Sequence, residues 1–275
     1  MLRWRGLSLS AILIVTSVGA PAGARAQSIW FEPYNDRELY LEVLKPSFDG
    51  GDLGFLTTNW YLAGRLSVKE ILVLVAELPF AYAAADAELD VFDISDATMG
   101  NPYLGVELRS RQSGLFGEFG VRIPLASQRN FGTLTGLLTD IVDRAEAFLP
   151  DVLSLQGVLD YGLQEPSGFG ARFRAGSVVW LDVGEAADDS EVNIVYSGQV
   201  WYDAGAIVAG GGLSGRWVVT ADGDIGETTV HQMVLLTDVR LGQFRPGIQL
   251  RIPIDKDLND TLDLVFGLKV AVAFP

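Results

Sequence analysis

Acids and bases carry almost all the chemistry this chain has to offer. Its 275 residues include 20 Lys and Arg, 35 Asp and Glu, one His and no Cys. Without Cys there is no thiol nucleophile, disulfide or zinc ribbon. One His leaves no cluster for a metal and confines any Ser–His–acid hydrolase to His231. His231 shares strand parity with Met233 and Leu235, an apolar face, and by parity no Ser–His–acid set converges there. The sequence therefore predicts no catalytic residue, no metal site, no cofactor and no enzyme. What remains is a set of charges on one parity: Glu42, Arg65, Glu77, Glu107, Arg109, Glu118, Arg122, Asp160, Arg172, Arg174, Asp182, Asp203, Arg216, Asp238, Arg240, Arg251, Asp263 and Lys269. Each alternates with large apolar neighbours, so the charges face one way and the apolar side chains the other.

Strands of period 2 must position such a set. The last one is the clearest. Leu262, Leu264, Phe266, Leu268, Val270, Val272 and Phe274 share a face; Asp263, Gly267 and Lys269 lie on the opposite one. Twelve such segments are readable, near 37–47, 54–68, 70–83, 101–112, 114–126, 152–164, 168–182, 191–203, 206–220, 229–242, 244–255 and 261–274. They are longer than the roughly 5–6 residues of a globular strand and long enough for the about 9–11 needed to cross a bilayer. Their connections alternate. Tight turns fall near Val68-Lys69, Gln112-Ser113, Glu165-Pro166-Ser167, Ala204-Gly205 and Gln243, and the loops between are mostly longer. Short turns on one side, long loops on the other and an apolar-out, polar-in alternation predict an all-β, transmembrane, antiparallel up-and-down barrel of 12 strands. A soluble β-protein with its apolar faces buried against each other is the alternative.

The first 26 residues read as an address. Arg3 and Arg5 precede an apolar run from Leu7 to Val18, and Ala24-Arg25-Ala26 has the form of a cleavage site. This predicts a secretory signal peptide over 1–26 and a mature barrel domain over 27–275 in a Gram-negative outer membrane. An N-terminal anchor is disfavoured because the run is too short to span comfortably. Removing 1–26 takes away three Arg and no acid, leaving 17 basic against 35 acidic residues, a net of −18. That bias excludes nucleic acid as a partner. The expected surroundings are outer-membrane lipid, lipopolysaccharide and the barrel-assembly machinery.

Three stretches carry a family resemblance: Trp60-Tyr61-Leu62-Ala63-Gly64-Arg65-Leu66, then Ala76-Glu77-Leu78-Pro79-Phe80, then Gly100-Asn101-Pro102-Tyr103-Leu104-Gly105-Val106-Glu107-Leu108. Over residues 54–126 this order resembles the meta-pathway phenol-degradation family of outer-membrane proteins. The resemblance implies a closed barrel for transport, and it alone suggests small hydrophobic or aromatic substrates. The chain departs from the usual aromatic end of such barrels, since Pro275 follows Phe274.

Several features bear on passage through the lumen. Hairpin registers centred on the predicted turns place Arg109 opposite Glu118, Asp160 opposite Arg172 and Asp238 opposite Arg251. Such pairs either brace a narrow interior or leave a few free charges as a selectivity constriction. Leu134, Leu137, Leu138, Ile141, Val142, Ala145 and Phe148 have helical spacing within a long outer loop, with Thr133 or Thr135 as cap and Pro150 as stop. This segment, 132–149, either folds into the mouth as a gate or lies on the rim. Glu77-Leu78-Pro79-Phe80, Arg122-Ile123-Pro124-Leu125 and Arg251-Ile252-Pro253-Ile254 repeat one pattern near outer strand ends, where Pro is tolerated. Acidic outer loops at 86–96, 185–191, 222–227 and 255–260 either solvate the surface or concentrate cations. Together these predict passage of small molecules through a narrow charged lumen, or else a plugged barrel that serves as a structural or surface protein.

Overall fold

The computed structural model describes residues 37–48, 57–85, 94–110, 113–126, 130–184 and 190–274. The predicted leader, the aromatic residues Trp30, Phe31 and Tyr34, and the acidic runs Asp86 to Asp93 and Glu185 to Asp189 lie outside them. Thirteen strands form one antiparallel sheet. They are β1 (Arg37–Phe48), β2 (Thr58–Lys69), β3 (Leu72–Ala85), β4 (Ile94–Met99), β5 (Tyr103–Arg109), β6 (Leu115–Arg122), β7 (Val152–Gln164), β8 (Phe169–Asp182), β9 (Glu191–Asp203), β10 (Ile207–Val218), β11 (Thr229–Val239), β12 (Phe244–Pro253) and β13 (Leu262–Ala273). β1 pairs with both β2 and β13, and β2 also pairs with β3, so all but β4 close into a twelve-stranded barrel.

β4 is the departure from the expected twelve. It arises within a stretch the sequence reads as loop. β3 pairs with β5 along Leu72–Glu77 and with β4 along Phe80–Ala85. The handover falls at Pro79, whose carbonyl accepts from the Gly100 N–H at 2.9 Å. Pro has no N–H to give a ladder, which suits it to the point where a strand changes partner. On the next side, β6 stops at Arg122, opposite Ser154 of β7. Among the described residues, the far edge of β4 carries no ladder.

Alternation sorts the side chains as a membrane barrel requires. Phe119, Leu159, Phe173, Leu213 and Leu268 point outward, and each is about half exposed. The same belt of Leu, Val, Phe and Trp runs round the whole wall. Water-soluble chains rarely expose contiguous apolar patches above a few hundred Å². The soluble alternative needs these faces buried against each other, and they are not; lipid is what they fit. The inward positions are instead rich in ionic and small residues, with Tyr40, Tyr61, Tyr103, Phe116 and Trp201 as aromatic exceptions.

The long loop between β6 and β7 folds into the lumen. It forms α1 (Phe131–Thr139), α2 (Ile141–Arg144) and a 3-10 turn over Ala145–Ala147. One short helix, α3 (Lys256–Asn259), follows β12. Among the described residues, a sizeable apolar cluster forms where the loop meets the wall: Leu44, Tyr61, Val142, Phe148, Leu258 and Val265.

Candidate functional site

Inside the barrel, α1 lies against β3 and β4, and α2 reaches across to β10 and β11. The α1 cap is Asn130, whose side chain accepts from the Thr133 N–H at 2.7 Å, not Thr133 or Thr135. The helix buries Gly132, Thr133, Thr135, Gly136 and Thr139, so its small face meets the wall. The predicted leucine face is turned the other way. Leu134 is exposed, Leu137, Leu138 and Ile141 are half-buried, and Val142, Ala145 and Phe148, beyond the break at Asp140, are fully enclosed. Close approach decides this. The Phe148 ring lies where a side chain on Gly136 would stand, within 2.6 Å of a Cβ, and a leucine cannot occupy that space. Phe148 also meets Tyr61 edge-on, with ring centroids 6.1 Å apart. The helix breaks at Asp140, where the chain turns across the lumen.

The charges of that crossing bind it to the wall. Arg144 donates to Asp140 Oδ2 at 2.6 Å, to Glu42 Oε2 at 2.6 Å and to Glu77 Oε2 at 3.1 Å. Its guanidinium sits 3.5 Å over the Tyr61 ring. Arg251 reaches Asp140 Oδ1 at 2.6 Å, Glu42 Oε1 at 3.0 Å and Asp143 Oδ2 at 3.3 Å. Gln232 and Ser214 donate to Asp143. Arg216 holds Glu146 at 2.8 Å and the Val142 carbonyl at 3.1 Å, while Arg122 pairs with Glu77 at 2.7 Å. Burial pushes the Asp140 carboxyl up, but Arg144 and Arg251 beside it pull it down further, and it ends below the usual carboxylate range. Burial likewise lowers Arg144, and the carboxylates around it more than reverse that.

Asn101 clasps the two ends of the loop. Its side-chain amide donates to the carbonyls of Glu146 and Leu149, at 3.0 and 2.7 Å. Its side-chain oxygen accepts from the N–H groups of Leu125 and Ala126, both at 2.8 Å. The Ala147 carbonyl accepts from its backbone N–H at 2.7 Å, and its own carbonyl accepts from Arg122 at 3.1 Å.

On the short-turn side of the plug lies a cavity of about 80 Å³. Tyr103, Glu118 and Arg174 line one side, and Val178, Val195 and Ser197 the other. That is room for several waters, not for an open pore. Further down, Arg65 pairs with Glu107 at 2.6 Å, Arg109 pairs with the same carboxylate, and Arg172 pairs with Asp160 at 2.6 Å. Arg174 stands 3.6 Å from both Glu118 and Asp160, and Arg240 pairs with Asp203 at 2.8 Å.

The predicted lumen residues Arg65, Glu77, Glu107, Glu118, Arg122, Asp160, Arg172, Arg174, Asp238 and Arg251 are all buried inside the wall, and Arg109 and Arg240 are partly so. Their partners differ from the expected registers. The β5–β6 ladder sets Arg109 against Phe116 and Glu107 against Glu118, so the Arg109–Glu118 pair does not form. Glu118 instead accepts from the Tyr103 hydroxyl. Asp160 faces Arg174 in the ladder and meets Arg172 diagonally. Asp238 faces Gly247, and Arg251 faces Val234 and turns to the plug. Each slip is an even number of residues, which keeps the face and changes the partner. Asp263 has inward parity but stands exposed at the outer rim. The plug's own charges Asp140, Asp143, Arg144 and Glu146 were missed. The signal was present: a run of four charges within seven residues of a segment read for its leucines.

No family model and no curated protein matches the sequence. Solved structures do match in shape. The COG4313 outer membrane channel from Pseudomonas putida F1 superposes with a TM-score of 0.60 at 10% identity, over 90% of this chain and 99% of that one. The barrel has the fold of outer-membrane channels. The NanC porin gives 0.54 at 6% identity over 86% of this chain and all of that one, and LpxR from Salmonella typhimurium gives 0.52 at 11% over the same shares. At these identities the likeness shows the fold alone.

Proposed function

We propose that the chain is a gated outer-membrane channel for small molecules, with the segment from Phe131 to Phe148 as its gate. One observation supports this above the rest. The plug closes the lumen with side-chain contacts and one main-chain bond, from the Asn101 N–H to the Ala147 carbonyl, while the ladder bonds belong to the wall, so it can leave without unpairing a strand. The substrate reading is small, hydrophobic or aromatic molecules. It rests on the resemblance to the phenol-degradation family and on a cavity whose lining mixes Val178, Val195 and Tyr103 with Glu118 and Arg174. Lipopolysaccharide as surroundings, export by the predicted leader and insertion by the barrel-assembly machinery belong to the same reading.

The second reading, a structural or surface barrel with a permanent plug, is favoured by the near-complete Arg–carboxylate pairing of the interior. Single-channel conductance separates the two. Refolded residues 27–275 are compared in planar bilayers with a variant in which 131–147 is replaced by a Gly/Ser linker. Spontaneous openings of the native chain, with steady conductance after replacement, support the gate. A native chain that never opens while the replaced one conducts favours the permanent plug, and silence in both, with heat-modifiable migration showing folded barrels, contradicts the channel reading.

A further inference from the structure

On the outer face of the wall, Tyr196 of β9, Gly215 of β10 and His231 of β11 occupy one row, because Gly215 is the ladder partner of both others. A side chain at Gly215 would stand 2.5 Å from the Tyr196 ring, so the glycine is what lets that ring lean across β10. There the Tyr196 hydroxyl meets His231 Nε2 at 2.6 Å. On the other side of the imidazole, Nδ1 lies 3.1 Å from Asp255 Oδ1, and the second oxygen of Asp255 accepts the His231 backbone N–H. Sequence parity could not find this set, because Asp255 sits in the turn after β12 and the hydroxyl is a tyrosine's.

The order is acid, imidazole, hydroxyl. Asp255 beside Nδ1 places the neutral ring's proton there, which leaves Nε2 free to accept from the phenol. The row also faces outward, at the long-loop end, with half-exposed Leu213 and Leu235 below it toward the bilayer centre. An acyl chain laid along those leucines would bring its ester level with Tyr196.

We propose that Tyr196, His231 and Asp255 form a second, outward-facing site that hydrolyses acyl esters of outer-leaflet lipids. Tyr196 Oη gives its proton to His231 Nε2 and attacks the ester carbonyl. The C–O bond to the lipid alcohol breaks, and the alcohol leaves with the proton from Nε2. Water then attacks the acyl-tyrosine, giving a proton to Nε2, and fatty acid and Tyr196 are released. Asp255 is a positioning residue that orients the ring. The site is independent of the gate; it requires only that this face meet lipid.

Full mature protein in detergent is given p-nitrophenyl laurate and, separately, phospholipid in mixed micelles, with released fatty acid read by mass spectrometry. Both are expected to be cleaved. Tyr196→Phe and His231→Gln are expected to abolish cleavage, and Asp255→Asn to lower it by ~10²-fold or more while moving its pH profile. Gly215→Val keeps all three groups but pushes the ring away, and loses activity in the same way. Heat-modifiable gel migration confirms that each variant is folded. No cleavage by the folded native protein, or cleavage that survives Tyr196→Phe and His231→Gln, overturns the proposal. Cleavage of the soluble ester alone overturns the lipid assignment.

Discussion

Replacing Arg144 by Met tests whether the ionic seat holds the plug. The substitution keeps most of the side-chain volume and removes three charge-assisted bonds, to Asp140, Glu42 and Glu77, and the stack on Tyr61. Removing one partner of a buried ion pair costs about 3–5 kcal/mol. Glu42 and Asp140 keep Arg251, and Glu77 keeps Arg122, so the low end, about 3 kcal/mol, applies. At about 1.36 kcal/mol per tenfold, the displaced-to-seated ratio should rise by roughly 150-fold. The assay is open probability in single-channel recordings, with Arg144→Lys as a control that keeps the charge and loses the planar fork. An intermediate value is expected for the lysine. If Arg144→Met folds and its open probability stays within a few-fold of the native protein, the plug is not held by this seat and the reasoning fails.

Acid should loosen the same seat. Asp140 is held below its ordinary carboxylate range, so its contribution is complete above the free-state value of about 3.9 and is lost as pH falls through the depressed one. Open probability should be flat between about pH 8 and 5 and climb only below about 4; a transition near neutrality would contradict it. Asn101→Leu leaves two carbonyls and two N–H groups without their partner, at on the order of 1–3 kcal/mol for each that stays dry. A clear drop in the midpoint of urea unfolding in detergent should follow. Leu159→Arg places a charge on the outward face in mid-strand and should weaken folding into lipid vesicles by about 2–4 kcal/mol. An unchanged yield would mean that this face does not meet lipid.

Strand placement was legible because parity is a local property. β7 and β9 span the residues that alternation marks, 152–164 and 191–203. Register was not, because a slip of two or four residues slides a hairpin without disturbing either face. Glu107 thereby arrived opposite Glu118, and Arg109 had to satisfy Glu107 from its own strand. β4 was hidden by its brevity, inside the stretch 84–100 read as a loop, and Gly100-Asn101-Pro102 serves as a bend between it and β5 along the same partner strand. The plug's charges defeat local reading altogether: Arg144 meets Glu42 from 102 positions away, and Arg251 meets Asp140 from 111. The amphipathic pattern found the helix and misjudged its orientation, since a helix inside an ionic lumen turns small residues to its wall.

Asn101 makes the plug a replaceable cassette. One side chain fastens the departing strand end at Leu125 and Ala126 and the returning one at Leu149. The loop between is therefore closed at its base, whatever its length. Closure entropy grows slowly, by about 0.6 kcal/mol for each doubling of a flexible loop. Insertions, deletions or a wholly different sequence between those clasps would leave the barrel's hydrogen bonds as they are. Variation can then act on what opens the lumen while the chassis that inserts into the membrane stays unchanged.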